Sequence, residues 1–172
     1  MGEGTEAAGT RLRAEVLLVI LATGLGLIEN LLPRPVPFLK PGLANIVTVA
    51  AVMRYGTFTG LRVNVLRATA AALFMGTIAT PTYLLSMAGG VVSAAVMGSV
   101  RRLFSVTGIS ISGAVCSMWT QLLTASLLIP GLPFRNLLVP VTLWGFLSGT
   151  ITGIIAAVLL RKGFPWTVES RG

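Results

Sequence analysis

Residues 137–160 read LLVPVTLWGFLSGTITGIIAAVLL, a run of 24 residues without a charged side chain. About 20 consecutive apolar residues are enough for a helix to cross the hydrocarbon core of a bilayer. Arg135 lies just before the run, and Arg161 and Lys162 follow it directly. The stretch therefore predicts a transmembrane helix with a basic residue near each end.

The rest of the chain repeats this pattern. Five further apolar segments precede the run, at about residues 14–32, 42–53, 63–79, 83–100 and 109–129. With 54% hydrophobic and 10% charged residues and a mean hydropathy of +0.88, the chain lacks the polar faces that a soluble domain needs. We therefore predict an all-α membrane protein, a single six-transmembrane-helix bundle. The second segment is short, so a tilted or re-entrant helix is an alternative there.

The basic residues predict the orientation. If all six segments cross, nine of them fall on the side of the N-terminus: Arg11, Arg13, Arg54, Arg62, Arg101, Arg102, Arg161, Lys162 and Arg171. Three fall on the other side: Arg34, Lys40 and Arg135. Because cytoplasmic loops carry the excess of Lys and Arg, both termini are expected in the cytoplasm. We expect a transmembrane domain at 14–162, with an N-terminal tail at 1–13 and a C-terminal tail at 163–172. The first ten residues of the N-terminal tail are expected to be disordered.

The residue types that are missing exclude several kinds of chemistry. The sequence contains no His and no Asp, and its single cysteine, Cys116, cannot form a disulfide within one chain. His-based acid–base catalysis and the usual zinc sites are thereby excluded, and no phosphate-binding loop motif is present. The net charge of +8 is spread between the apolar segments rather than gathered in a patch, which argues against nucleic acid. We predict a protein that is not an enzyme and has no cofactor or metal.

Two patterns within the segments concern packing and polarity. Gly145, Gly149 and Gly153 are four residues apart and form a smooth helix face, which suits packing within the bundle or against a partner subunit. A polar stripe follows one face of the fifth segment, at Ser110, Ala114, Ser117, Gln121 and Thr124. In lipid such a face must point into the bundle, where it either lines a cavity or forms hydrogen bonds between helices.

Ionisable residues within a span are costly and are therefore candidates for function. Glu29 lies near the outer end of the first segment and is a candidate for contacting a ligand or for pairing with Arg34 or Lys40. Arg67 lies in the third segment, where its long side chain either meets a ligand or extends to the inner surface; the latter is slightly favoured. The amides Asn45 and Asn64 also need partners at depth.

Several stretches together resemble one family. They are GLIENLLPRPVPFLKPGLANIVTVAAVMRYG (26–56), RATAAALFMGT (67–77), YLLSMAGGVVSAAVM (83–97), GISISGAV (108–115) and LWGFLSGTITGIIA (143–156). They resemble the Gx transporter family, also called heptaprenyl diphosphate synthase component I. That family is similar in architecture to the substrate-binding S components of energy-coupling-factor (ECF) transporters.

The resemblance implies a pocket near the outer surface and a docking face on the first helix. The implied ligand-binding residues are Glu29, Lys40, Asn45, Arg67, Tyr83, Ser86, Ser117 and Gln121, and the implied docking residues are Ala22 and Gly26. Two motifs depart from the family pattern. The docking motif is Ala-x-x-x-Gly rather than Ala-x-x-x-Ala, and Ser117 and Met118 stand where the family usually has a His-Asn pair.

These features lead to two expected functions. The first is a substrate-binding membrane subunit of a transporter for a small nutrient or cofactor precursor, which works with a transmembrane coupling subunit and separate ATPases. Arg34, Lys40 and Arg135 on the outer side would suit an anionic ligand. The alternative is a non-catalytic membrane subunit associated with heptaprenyl diphosphate synthesis, since the Asp-rich magnesium motifs of prenyl elongation are absent. Either protein would be a multi-pass protein of a prokaryotic-type inner or plasma membrane.

Overall fold

The computed structural model describes residues 2–31 and 42–162 and contains six α-helices. They are α1 (Gly2–Leu31), α2 (Leu43–Tyr55), α3 (Thr57–Phe74), α4 (Pro81–Val100), α5 (Val106–Leu128) and α6 (Phe134–Arg161). No strand occurs within the described ranges, so the all-α prediction is confirmed there. The helices α4, α5 and α6 are long and apolar enough to cross a membrane, and α2 is a shorter apolar helix.

Two predicted boundaries were wrong. The first ten residues, expected to be disordered, belong to α1 from Gly2 onward, because this stretch contains the helix-favouring Ala7 and Ala8 and has no proline to interrupt it. The third helix begins at Thr57, six residues before the predicted start at 63. Polar residues such as Thr59 and Arg62 lower the hydropathy of its first turns, so the apolar segment begins later than the helix. The segment 163–172 lies outside the described residues.

Consecutive helices run antiparallel to one another. Gly26 of α1 faces Ala44 near the start of α2, Gly60 near the start of α3 faces Val52 near the end of α2, and Asn64 faces Gly90 of α4. The same reversal joins α4 to α5 and α5 to α6. Because α2 contacts each of the other five helices, it occupies the centre of the bundle, while α1 lies at the edge against α2 and α3.

The central position of α2 follows from its composition. Its 13 residues include apolar side chains all around the helix, and eight consecutive or near-consecutive positions between Ala44 and Val52 are buried. A helix that is hydrophobic all round is stable only in the interior. At 1.5 Å per residue it is about 20 Å long, shorter than the roughly 30 Å hydrocarbon core. Its neighbours therefore extend beyond it, and its N-terminus lies inside the bundle.

The glycine row of α6 packs against α5. A Cβ atom added at Gly149 would lie 2.7 Å from the Ile111 Cα atom, and one added at Gly153 would lie 2.8 Å from the Thr107 Cα atom. The two backbones approach so closely that only glycine fits. Within the described chain, this row serves intramolecular packing.

A buried hydrogen bond joins the same two helices. The hydroxyl oxygens of Ser110 on α5 and Thr152 on α6 are 3.0 Å apart, and both residues are almost completely buried. One residue of the predicted polar stripe thus bonds across a helix interface. Thr124, at the other end of the stripe, donates to the Thr120 carbonyl of its own helix instead.

We expect Thr152→Val to lower the free energy of unfolding by about 0.6–2 kcal/mol, the range for one interhelical hydrogen bond in a membrane protein. Thr150→Val is the matched control. Thr150 is on the same helix and donates to the Phe146 carbonyl of that helix. Thermal unfolding in detergent measures both variants, and equal effects would contradict a role for the bond between α5 and α6.

Candidate functional site

A small polar cavity lies inside the bundle at the N-terminus of α2. Its volume is about 50 Å³, enough for a few water molecules. Six of the predicted ligand-binding residues line it: Glu29, Asn45, Arg67, Ser86, Ser117 and Gln121. They come from α1, α2, α3, α4 and α5, so the helical packing brings together side chains that are far apart in the sequence.

Glu29 caps the N-terminus of α2. Its carboxylate oxygens accept hydrogen bonds from the backbone N–H groups of Gly42 at 3.0 Å and Ala44 at 3.4 Å. Gly42 has a φ of 80°, a backbone conformation that strains any residue with a side chain. A Cβ atom added to Gly42 would also lie only 3.0 Å from the Ser148 hydroxyl. An anion at a helix N-terminus satisfies free N–H groups and the positive end of the helix dipole. Glu29, only 5% exposed, is therefore held at the cavity wall by α2.

Arg67 brings a positive charge to the same cavity. Its guanidinium Nε atom donates to the Asn64 side-chain oxygen at 2.9 Å, and Nη2 donates to the same oxygen. Arg67 lies ten residues after the start of α3, about 15 Å along the helix, which is farther than a side chain can extend. The favoured expectation that it reaches the inner surface was therefore wrong. Arg67 and Glu29, which carry opposite charges, line the same cavity.

Two adjacent glycines of α4 make room for the polar groups around the cavity. A Cβ atom at Gly89 would lie 2.7 Å from the Gln121 Cγ atom and 2.9 Å from the Ser117 hydroxyl on α5. A Cβ atom at Gly90 would collide with the side-chain amide of Asn64 on α3. The pair thus admits polar side chains from the helices on both sides of α4. Any larger residue would push the α3 or α5 polar groups away.

Two amide atoms near the cavity have no hydrogen-bond partner within the described chain. Gln121 donates to the Ser117 hydroxyl at 3.1 Å, but its Oε1 atom accepts nothing. The Nδ2 atom of Asn64, which is fully buried, donates to nothing. An unsatisfied buried polar group costs about 1–3 kcal/mol. A water molecule or a ligand group with one donor and one acceptor would satisfy both kinds of atom.

The remaining predicted residues lie elsewhere. Lys40 is outside the described residues. Tyr83 is near the start of α4, where its hydroxyl is 3.3 Å from the Thr69 hydroxyl of α3, and it does not line the cavity. Ala22 is fully buried against α2, and Gly26 faces Ala44. The docking role of Ala22 and Gly26 stays a prediction, and it would require α1 and α2 to separate.

Sequence reasoning missed Ser148 and did not assign a site role to Gly42, although both line the cavity. The signal for Ser148 was its spacing of four from Thr152, which marks a polar face on α6 beside the glycine row. Met118, one of the residues that depart from the family pattern, also lines the cavity. No group of three His, Cys, Asp or Glu residues able to hold a metal was found among the described residues.

The comparisons with known proteins agree with the resemblance. Residues 18–159 match the family model described as heptaprenyl diphosphate synthase component I. No curated protein and no solved structure gave a match. The family match runs from the middle of α1 almost to the end of α6, so it includes every residue that lines the cavity. The chain belongs to the heptaprenyl diphosphate synthase component I family.

Proposed function

We propose that this protein is a non-catalytic membrane subunit that captures a small polar molecule in the cavity at the N-terminus of α2. The observation that supports this most strongly is Arg67, a charged residue midway along a helix of an apolar bundle, with its guanidinium at the cavity wall. Charged groups at such depth are costly and commonly mark ligand or ion pathways. Helix N-termini inside membrane bundles commonly serve the same purpose.

The cavity favours a ligand with an acidic group and a neighbouring hydrogen-bond donor. Arg67 uses two of its donor groups on Asn64 and has others left for a carboxylate or phosphate. The free Gln121 oxygen would accept a donor of the ligand. Because the cavity is only about 50 Å³, a nutrient-sized molecule requires the surrounding helices to move.

The proposed topology has six crossings, with both termini in the cytoplasm. The antiparallel order of the helices places Arg54, Arg62, Arg101 and Arg161 at the same end of the bundle. That end would be cytoplasmic by the distribution of positive charges. The tails at 1–13 and 163–172 and the transmembrane domain at 14–162 are part of this proposal. The short α2 would be a buried helix of about two thirds of the hydrocarbon thickness, allowed because protein rather than lipid surrounds it.

We further propose that the captured molecule is a nutrient or cofactor precursor, and that separate coupling and ATPase subunits supply the energy for its transport. The sequence itself contains no ATP-binding motif. Affinity purification of the tagged chain from its native membrane in mild detergent tests this directly. Recovery of a transmembrane subunit with ATPases would support the transport function, and recovery of a soluble prenyl synthase without them would contradict it.

The family description supports a second candidate, a membrane subunit that accompanies heptaprenyl diphosphate synthesis. With no Asp in the chain, magnesium-dependent elongation would have to take place on a partner protein. This protein would then hold or present a lipid. The same purification separates the two functions, because each predicts a different partner.

Arg67→Gln should reduce the affinity for a co-purifying small molecule by about 10- to 100-fold, and its occupancy should fall accordingly. This is the loss expected when one charged hydrogen-bonding group is removed. Arg67→Lys keeps the charge but not the forked geometry and should bind with intermediate strength. Native mass spectrometry of the purified protein measures the occupancy. The control is Arg62→Gln on the same helix, whose side chain is 69% exposed. Unchanged occupancy in Arg67→Gln, or a wild-type protein without any bound molecule, would contradict the proposal.

A further inference from the structure

A second, larger cavity lies at the opposite end of α2. It is a groove of about 550 Å³ between the first half of α1, the end of α2 and the start of α3. Three arginines line it: Arg11, Arg54 and Arg62. It shares no lining residue with the cavity that contains Arg67, so whatever binds there is separate from the captured molecule.

The groove is strongly positive. Glu15 is the one acid among its lining residues in the described part of the chain. Its carboxylate is already engaged, lying 3.5 Å from the Arg62 guanidinium and accepting a hydrogen bond from the Thr59 hydroxyl at 3.3 Å. Arg11 and Arg54 remain exposed on either side. A fourth arginine, Arg101, lies next to Gly56 at the rim. Such a group of guanidinium forks suits phosphate oxygens.

The groove opens onto an apolar stripe. Leu12 belongs both to the groove and to a row of exposed side chains that continues along α1 through Val16 and Ile20. These three residues are four apart and are 63%, 49% and 61% exposed, so they form one continuous face. Phe58, at the start of α3, is 83% exposed beside the arginines. The positive groove and the apolar stripe thus share Leu12, so that one amphiphilic molecule could contact both surfaces.

We propose that this groove binds the phosphate headgroup of an anionic bilayer phospholipid, with an acyl chain lying along Leu12, Val16 and Ile20. Charge complementarity selects the headgroup, since basic pockets at the membrane surface of helical bundles bind anionic lipids. The stripe selects a lipid over free phosphate, because only a molecule with a tail covers both surfaces. The site also ties α1, which lies at the edge of the bundle, to α2 and α3.

The test compares lipids on the full-length protein. The purified chain is titrated with phosphatidylglycerol or phosphatidylcholine in native mass spectrometry, and the retained lipid is counted. Phosphatidylglycerol should bind several-fold more tightly to the wild-type protein. The double variant Arg11→Gln/Arg54→Gln should bind phosphatidylglycerol with about 25-fold lower affinity, which is about fivefold for each arginine near an anionic headgroup. Both side chains are exposed, so the variant should keep the thermal stability of the wild type in detergent.

Arg135→Gln, a change of an exposed arginine at the start of α6, is the matched control and should leave binding unchanged. Equal affinity of the wild type for the two lipids would overturn the proposal without any need for a variant. Equal binding by the double variant and the control would overturn it as well. A third result against it would be inorganic phosphate alone raising the thermal stability as much as phosphatidylglycerol does, because the tail would then be irrelevant.

Discussion

Gly149→Leu should prevent α5 and α6 from packing and lower the free energy of unfolding by about 3 kcal/mol or more. A Cβ atom at this position would lie 2.7 Å from a backbone atom of Ile111 and 3.0 Å from the Ala114 side chain. Backbone cannot move aside as the end of a flexible side chain can. For a protein of this size, the expected fall in Tm is about 10 °C. Thermal unfolding in detergent, together with the yield of monodisperse protein, measures the effect.

Gly24→Leu is the matched control for this experiment. Gly24 is also a glycine within a helix, but no atom lies within 4 Å of a Cβ atom added there. Leucine has a higher helix propensity than glycine, so the control variant should be at least as stable as the wild type. If both variants unfold at the wild-type temperature, the close packing of α6 on α5 is contradicted.

Glu29→Gln should lower the free energy of unfolding by about 3 kcal/mol, the upper end of the range for a hydrogen bond to a charged group, because two such bonds are disturbed. The change affects two structures at once. A glutamine keeps one oxygen for the Gly42 N–H group, but its NH₂ group then meets the Ala44 N–H group, donor against donor. The change also removes the negative charge from the cavity that Arg67 lines.

The control for this variant is Glu15→Gln, the same substitution on the same helix. Glu15 pairs with Arg62, whose side chain is 69% exposed, and such surface pairs contribute about 0–1 kcal/mol. The two variants should therefore differ by about 2 kcal/mol or more in unfolding free energy. A difference near zero would mean that the Glu29 carboxylate does not stabilise the N-terminus of α2.

Glu29 and Arg67 explain how a helix too short for the bilayer is held in place. The N-terminus of α2 lies at the cavity, and the Glu29 carboxylate accepts hydrogen bonds from the N–H groups of Gly42 and Ala44. Arg67 and Asn64 complete the polar wall on the α3 side. The cavity is therefore a direct consequence of the short length of α2. A ligand that enters the cavity would contact the groups that stabilise α2.

Much of the candidate site could be predicted from residue type. Glu29, Arg67 and Gln121 stand out because polar groups within apolar segments are costly unless they have partners. The exact faces could not be predicted, because helical periodicity says which residues share a side and not which neighbour that side meets. Ser117 was a candidate for either a cavity or a hydrogen bond. It lines the cavity, while the hydrogen bond that it accepts from Gln121 lies within α5 rather than between helices.

The predicted docking residues Ala22 and Gly26 also show that a local pattern does not identify the neighbouring helix. A row of small residues predicts that some backbone approaches closely, and Ala22 and Gly26 met that condition as well as Gly149 did. In the fold, α2 takes the place beside Ala22 and α5 takes the place beside Gly149. The identity of the approaching backbone depends on the arrangement of all six helices, and no local pattern contains it.

By itself, the sequence determined that the chain is an apolar, all-helical member of its family, because hydropathy and family motifs are properties of short stretches. The tertiary structure decided that the 13-residue α2 lies in the centre, that Glu29 caps it, and that Arg67 turns inward rather than to the surface. The position of α2 and its cap depend on contacts between residues far apart in the chain, and Arg67, bonded to Asn64 of its own helix, faces a cavity that other helices complete. The physical reason is that a buried charge is stable only where another helix supplies its partner.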